Sequence, residues 1–553
     1  MAGPLRIGLL LDSFVLPRWM VSIIEEIEAG DDARIALVIV NAAREQPRPL
    51  WRRLREMNLL YSVYNRIDQR LFARRSGQDA FEPVDVRPLL AGVEVREVMP
   101  LQKKWTDRFA PDDLDAVRAA QLDVMLRFGF RILRGGILSA ARYGVWSFHH
   151  GDNRLYRGGP ALFWEIYERN PRSGTVLQIL TEELDGGKII YRSQSSTDFT
   201  SLFRNRNATY WKTARFVARR LRDLRRDGLD AIVEDRAESR PEAGRGIYRL
   251  PGRAAMLRFF AQTAWSNVRA QFRNRTQLEQ WFVAIAPRPE RIAGAAPKFT
   301  VIDSPRDRFY ADPFVVEHEG RTYLLIEDYS FRTRKGVISC IELRDGKPSA
   351  PRVVLERDYH LSYPSPFFWE GEWFMTPETF DNGTVELYRA VEFPWRWTLD
   401  RVLLSGLKAV DPTLFHHDGS CWLLVNVAPP GGSAHDELSL FFADSPRGPW
   451  QPHPRNPVVS DVRSARPAGA PFVEDGVLYR PAQNCALRYG HAITLNRVDA
   501  FTKTEYRETP VATSESSWLP HSLCTHTLNT SAHWLVTDGK RMRFGRVGRG
   551  HTG

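Results

Sequence analysis

The run Leu5–Leu11 is apolar except at Arg6 and Gly8, which predicts a strand buried on both faces. Pro17 stands where a helix begins, and helical periodicity continues to Ala29. Short apolar runs recur at 34–40, 122–128 and 145–148. Strands alternating with helices predict an α/β domain built on a largely parallel sheet. Between the second and third strands, residues 44–75 place Leu54, Met57, Tyr61, Tyr64, Ile67 and Leu71 at helical spacing, with Arg52, Arg53, Arg55, Arg66 and Arg70 on the opposite face. A second basic helix, 216–226, closes this domain, and the acidic, Pro- and Gly-containing stretch 234–252 reads as a linker. Residues 254–275 predict a basic bridging helix in which Met256, Phe259, Phe260, Val268 and Phe272 need burial.

From about Gln280 helical periodicity gives way to short strands and turns. Asp312-Pro-Phe-Val, Ser365-Pro-Phe-Phe, Asp411-Pro-Thr-Leu and Ala470-Pro-Phe-Val form a diverged repeat. A period of roughly 50 residues is what one four-stranded propeller blade requires. A fifth blade is assembled from 281–286 and the last strands around 525–538, so that the first and last segments share one sheet and no edge stays open. The expected organisation is multidomain: a Rossmann-like α/β domain over 1–235, a linker and bridging helix over 236–279, and an all-β five-bladed propeller over 280–553.

The 553 residues exceed what one core holds, and 43% hydrophobic with 26% charged residues is a globular composition. Asp12 interrupts the N-terminal apolar run and no small-residue cleavage site follows, so a buried strand is expected there rather than a signal peptide, and the expected compartment is cytoplasmic. Cys340, Cys421, Cys485 and Cys524 are too scattered for a zinc cluster and read as buried thiols. No metal is expected. The net charge of +11 suits a polyanionic ligand or an anionic membrane surface without choosing between them.

Between Ser147 and Ile190 the chain reads SFHHGDNRLYRGGPALFWEI and then SGTVLQILTEELDGGKII. These blocks resemble the folate-dependent formyltransferases, whose matching stretch holds Asn-x-His, Tyr-Arg-Gly, a Trp-containing helix and Leu-Asp-x-Gly. The resemblance implies a formyltransferase fold, 10-formyltetrahydrofolate as formyl donor, and catalytic roles for His149, Asp185 and Ser147. An imidazole titrates near neutrality, and a carboxylate that orients it raises its basicity. Two positions depart from the pattern: Ser147 replaces the family Asn that helps hold the oxyanion, and Arg154 replaces a Pro. Losing an oxyanion donor costs roughly a hundredfold in rate elsewhere. The resemblance further implies folate against Phe128, Gly129, Phe130 and Ile132, and substrate contacts from His150, Asp152, Tyr156, Arg157 and Gly158.

The motifs YADPFV around Asp312, IEDY at Glu327, AVDPTL around Asp411 and RPAQN near Gln483 resemble two families. One is the arabinanase-type glycoside hydrolases; the other is the propeller found in plant glucosamine inositolphosphorylceramide transferases. The resemblance implies a base at Asp312 and a tuning carboxylate at Asp411, with Glu378, Arg480 and Gln483 as further site candidates. Blade four opens Gly469-Ala470-Pro471 where the acid is expected. Glycoside hydrolysis needs two carboxyl groups, so hydrolysis is not expected.

Taken together, these resemblances lead to an N-formyltransferase acting on a nucleotide- or lipid-linked amino sugar, with a glycan-binding or scaffolding propeller. Two alternatives stand beside it: a carbohydrate-active hydrolase or transferase using the propeller carboxylates beside a degenerate formyltransferase domain, and a non-catalytic glycan- or membrane-binding protein. Nucleic acid is not an expected partner. Peripheral contact at the inner membrane surface is compatible with the basic helices.

Overall fold

The computed structural model describes residues 3–43, 58–73, 77–103, 105–183, 186–234, 242, 244–295, 297–344, 346–429, 431–516 and 522–544. Of the sequence expectations, Leu54, Met57, Arg52, Arg53, Arg55, Asp185 and linker residues 235–241 and 243 lie outside the described residues. The chain forms two compact units, one gathering residues 1–193, 197–267 and 430–432 and the other the rest.

Unit one is mixed α/β. Its elements are β1 (Leu5–Leu11), α1 (Arg18–Glu28), β2 (Ala33–Asn41), α2 (Leu59–Phe72), β3 (Glu94–Val98), α3 (Pro111–Ala119), β4 (Val124–Arg127), β5 (Val145–His149), α4 (Phe163–Tyr167), β6 (Arg172–Ile179), β7 (Lys188–Ser196), α5 (Leu202–Thr213), α6 (Phe216–Asp227) and α7 (Arg253–Thr276). The seven strands lie in the order β7-β6-β5-β4-β1-β2-β3. β1 runs parallel to β2 and β4, β4 parallel to β5, and β5 antiparallel to β6. Pro17 caps α1, which buries Trp19, Val21, Ile23, Ile24 and Ile27 against the sheet. Each such side chain contributes about 1.5–3 kcal/mol. The centre of the sheet thus presents the C-terminal ends of β1, β4 and β5, the edge where open α/β sheets bind ligands.

α2 turns inward only part of the face its apolar spacing predicts. Tyr64 is buried and Tyr61 half-buried as expected, and Asp68 is buried with them, whereas Ile67 and Leu71 are exposed beside Arg66 and Arg70. The reason lies at the start of α5, where the Asp68 carboxylate accepts from the Phe203 N–H at 2.7 Å. That charge-assisted bond at a helix N-terminus outweighs the burial of two aliphatic chains. In α7, Met256 and Phe259 are buried as expected, but Val268 and Phe272 are exposed.

Unit two is rich in β-sheet, with five antiparallel sheets among the described residues. Four follow one another along the chain, beginning with Arg308–His318, Ser362–Trp369, Lys408–His417 and Arg466–Pro467. The other is made from both ends of the unit: Gln277–Pro287 pairs along its whole length with Trp534–Phe544, flanked by Thr300–Ile302 and Leu528–Thr530.

The repeat has a different register from the one its sequence suggests. Asp312, Tyr363 and Asp411 have φ of 50°, 46° and 52°, each sits in a β-bulge, and each precedes a proline. The second repeat is therefore Tyr363-Pro364, not Ser365-Pro366, and in the fourth the left-handed position is Gly469, with φ 132°. Two X-Pro steps stand in succession at 363–366, and sequence spacing gives no sign of which one carries the bulge.

The corrected face of α2 makes a stability prediction. Asp68→Ala should lower the unfolding free energy of unit one by about 1–2 kcal/mol through loss of the cap. Ile67→Ala and Leu71→Ala should each change it by less than about 0.5 kcal/mol, as surface substitutions do. Chemical denaturation of the three variants checks this; a larger loss at Ile67 or Leu71 would return them to the core.

Candidate functional site

In unit one the candidate residues gather where β5 ends. His149 is the last residue of β5 and His150 lies just beyond it, and the two histidines have different surroundings. His149 Nε2 lies 2.8 Å from the Tyr156 carbonyl oxygen. A carbonyl only accepts, so Nε2 carries the proton and Nδ1 keeps its lone pair. His150 stacks on Tyr210 with centroids 3.7 Å apart, faces the edge of Trp19, and reaches Thr213 through Nε2. Burial, with the neighbouring His149 and Arg206, holds it down to about 3, so it is a neutral wall residue.

Two cavities flank this strand end and share Arg127, Ser147 and Phe148. One, of about 200 Å³, is lined by His149, Ile132, Gln178 and Thr181 among others. The second, of about 320 Å³, is largely aromatic, with Trp19, Phe81, Phe128, His150 and Tyr210 on its walls. Of the expected folate residues, Ile132 thus lines the first cavity and Phe128, Gly129 and Phe130 the second. Phe130 also packs into the core against Phe109, with its N–H held by Asp12 at 2.8 Å. Gly129 is obligatory at this crossing, since a Cβ there would lie 2.3 Å from the Asp12 nitrogen.

Arg127, unremarked in the sequence, stands beside Ser147, the position that aligns with the family Asn. Its Nη1 donates to Ser147 Oγ at 3.2 Å, and Nη2 and Nε hold the Phe130 and Arg131 carbonyls at 3.0 and 3.2 Å. A guanidinium fixed at three points on a cavity wall is a preorganised donor for developing negative charge. The signal available to sequence was a charged residue ending an otherwise apolar strand.

The remaining candidates of unit one do not converge on that cavity. Asp152 pairs with Arg154 and Arg192; burial pushes its carboxyl up, but the bonds and charges of these arginines hold it below the ordinary carboxylate value. Tyr156 donates to Glu168 and accepts from Asn170. Arg157 and Gly158 pair with Ile247 and Tyr248. Glu165, also unremarked in the sequence, is fully buried with Oε1 unpartnered, and burial pushes its carboxyl up to about 8.

In unit two the structure brings Asp312, Glu378, Asp411 and Gln483 together and leaves Arg480 elsewhere. Arg480 is buried against Glu508 and Tyr506. Around the first group stand Arg466, His526 and Asp538, which the sequence did not single out, and Glu327, which it named in the IEDY motif without a site role. Arg466 grips Asp411 through Nε and Nη2, and Gln483 Nε2 donates to the same carboxylate at 2.7 Å. His526 Nδ1 lies 2.5 Å from Asp538, and Thr527 donates to Asp312 at 2.8 Å. Burial favours a neutral His526, but Asp538 and Asp312 outweigh it and hold the imidazole above its ordinary value. Donor atoms of Asp312, His526 and Asp538 lie within 4.8 Å of one another, a set able to hold a cation; with His526 charged, the imidazolium fills that electrostatic role.

Glu327 is cross-strand partner to Ala311, next to Asp312, and has His360 Nε2 at 3.6 Å. Burial and the carboxylates of Asp312, Glu378 and Asp538 push Glu327 well above the ordinary range. Asp312 is pushed up to about 6 by burial, with His526 opposing and Asp411 reinforcing. Two acids raised by burial and by neighbouring carboxylates thus stand side by side, Glu327 held toward its protonated form and Asp312 ionising at about 6.

Glu165 generates a pH prediction. Its folded value of about 8 lies above the ordinary 4.5, so the unfolded chain releases this proton first and stability falls as pH rises from about 4.5 through 8. Glu165→Gln should remove this contribution and stabilise unit one at pH 8.5 by roughly 2–5 kcal/mol. Thermal unfolding from pH 4 to 9 checks it; an unchanged slope in the variant would mean the group is ionised.

Comparison with known proteins follows the division into units. The family described as glucosamine inositolphosphorylceramide transferase 1, N-terminal, matches residues 296–519. Glucosamine inositolphosphorylceramide transferase 1 of Arabidopsis thaliana is 34% identical over 252 residues, covering 43% of this chain and 33% of that protein. Methionyl-tRNA formyltransferase of Chlorobium phaeovibrioides is 31% identical over 163 residues, covering 29% of this chain and 44% of that one. A family 117 glycoside hydrolase of Zobellia galactanivorans superposes with a TM-score of 0.33 at 14% identity, over 47% of this chain and 90% of that one. The chain thus spans about a third of the length of the plant relative and under half that of the bacterial one. Its C-terminal unit is similar to the N-terminal part of glucosamine inositolphosphorylceramide transferases, and its N-terminal unit is similar to formyltransferases.

Proposed function

We propose that this chain is a carbohydrate-active protein whose β-rich unit, read as a five-bladed propeller, takes a sugar at the acid cluster around Asp312. The observation that carries this reading is the placing of Glu327, cross-strand from Ala311 and held toward its protonated form, beside the ionisable Asp312. Cleavage or transfer of a glycosyl group needs such a pair. The breaking glycosidic bond leaves its electrons on the leaving oxygen, which takes the Glu327 proton, while Asp312 accepts the proton of the incoming hydroxyl. Glu327 thereby supplies from the first repeat what Gly469 and Ala470 in the fourth do not. The similarity of residues 296–519 to part of a glucosamine inositolphosphorylceramide transferase points to an amino-sugar-bearing glycan as substrate class.

Assaying the full chain against chromogenic and lipid-linked hexosaminides tests this. Glu327→Gln and Asp312→Asn should each lower turnover by about a hundredfold or more, with the pH profile of the native chain rising through about 6 as Asp312 ionises. Absence of both turnover and glycan binding across the set would remove the reading.

A specific observation in unit one favours a second activity: His149, with Nδ1 free, faces the same cavity as Ser147 and Arg127. We infer N-formyl transfer to an amino sugar, with 10-formyltetrahydrofolate supplying the formyl group when bound. Ser147, His149, Arg127 and Ile132 offer the polar and apolar contacts such a donor needs. The amine nitrogen would bond to the formyl carbon as the bond from that carbon to the tetrahydrofolate nitrogen breaks. His149 would take the amine proton at Nδ1 and return it to the departing nitrogen, while Arg127 would face the developing oxyanion. Incubation with 10-formyltetrahydrofolate and amino-sugar nucleotides, read by mass spectrometry, should give a product 28 Da heavier, the mass of a formyl group replacing hydrogen (about 28 Da by atomic arithmetic). His149→Ala and Arg127→Met should each lower the rate by about a hundredfold or more. A rate indifferent to both would exclude this site.

A further inference from the structure

Two neighbouring helices of unit one carry outward faces that the packing leaves bare. α2 and α7 meet where Tyr64 packs edge-on against Phe259 and Phe260, with centroids 5.1 and 5.0 Å apart. The Asn58 side chain, which caps α2, also donates to the Pro251 carbonyl just before α7. On the side of α2 turned away from this contact, Leu59, Val63, Ile67 and Leu71 are 57%, 44%, 49% and 58% exposed. Their spacing of four residues makes one continuous stripe. On α7, Leu257 and Trp265 are exposed in the same way.

The charges on these helices have one sign. Arg66 and Arg70 of α2 and Arg253 and Arg258 of α7 are exposed, and α7 has no acidic residue at all. The single acid of α2, Asp68, is turned inward onto α5. An apolar stripe bordered by arginines on α2, beside a helix that exposes Trp265 and carries no acid, is the composition of helices that lie in a lipid interface. A second copy of the chain would bring arginine against arginine in any symmetric contact and be repelled. No helix among the described residues is long and apolar enough to cross a membrane.

We propose that the outward faces of α2 and α7 dock unit one onto an anionic phospholipid surface, with Leu59, Val63, Ile67 and Leu71 entering the interface and Arg66, Arg70, Arg253 and Arg258 meeting lipid phosphates. This contact is independent of either chemistry proposed above. It holds the protein at a bilayer, where a lipid-linked substrate is presented.

The test is sedimentation of the full chain with vesicles of phosphatidylcholine alone or mixed with phosphatidylglycerol, at low and high salt. Binding is expected only to the mixed vesicles and should weaken with salt. The pair Arg66→Glu with Arg70→Glu should lower the partition coefficient by about tenfold or more, and Ile67→Gln with Leu71→Gln by a similar factor. All four positions are exposed, so an unchanged thermal midpoint accompanies both variants; single substitutions at the same positions provide the reading if a pair unfolds. The proposal is overturned if mixed vesicles capture no protein, if neutral vesicles capture as much, or if folded variants bind undiminished. Lipid-free self-association, or retention by an acidic protein alone, abolished by the same substitutions would overturn it equally and assign the face to a protein partner.

Discussion

Unit two depends on one kind of hydrogen bond, in which a buried carboxylate of one sheet accepts the backbone N–H of a bulged residue in the next. Asp538 accepts from Asp312 at 3.3 Å, Asp312 from Tyr363 at 3.1 Å, and Glu378 from Asp411 at 3.1 Å. A left-handed residue in a strand turns its amide out of the ladder, and a buried amide without an acceptor costs about 1–3 kcal/mol. Because the acceptors are acids, joining the sheets concentrates negative charge in their midst. Burial raises Asp312 and Glu327, and this charge pushes both further in the same direction. Arg466 and His526 offset part of it. The proposed acid and base of unit two are thus a by-product of how its sheets are joined, and substituting one of the joining acids affects fold and chemistry together.

Unit one separates these duties. His149 is tied to a carbonyl by one nitrogen only, and the next residue, His150, spends its ring on stacking. One ends the strand and the other lies just past it, and that step gives adjacent, chemically identical side chains different roles. It also explains why a two-histidine sequence pattern carries one candidate for proton transfer rather than two.

Much of the architecture was legible in the pattern of residues. The first strand, the helix after Pro17 and the change to sheet near Gln280 follow from apolar spacing and proline position, which act locally. What could not be read were the features decided by partners distant in sequence. Asp68 faces inward because α5 begins where its carboxylate can reach, 135 residues later. Tyr363 rather than Ser365 carries the bulge because Asp312 waits for its amide. Glu327 stood in the IEDY motif but gained a role only once Asp312, Glu378 and Asp538 were placed around it. Arg480 and Arg466 are both arginines in the same sheet, and only the second meets Asp411. A charged residue in a strand says that it needs a partner but not which one.

The pairing of Gln277–Pro287 with Trp534–Phe544 has a consequence for synthesis. Asp538 and His526 lie beyond every other member of the acid cluster in the chain, and Gln277–Pro287 has no long partner until Trp534–Phe544 is made. A ribosome releases the sheets beginning at Arg308, Ser362, Lys408 and Arg466 before the residues that hold the Asp312 amide exist. For that interval the nascent unit carries an unpaired edge strand and an orphaned bulge, so it completes its fold only after translation has passed residue 544. During translation it is exposed to the edge-to-edge association that the finished sheet prevents.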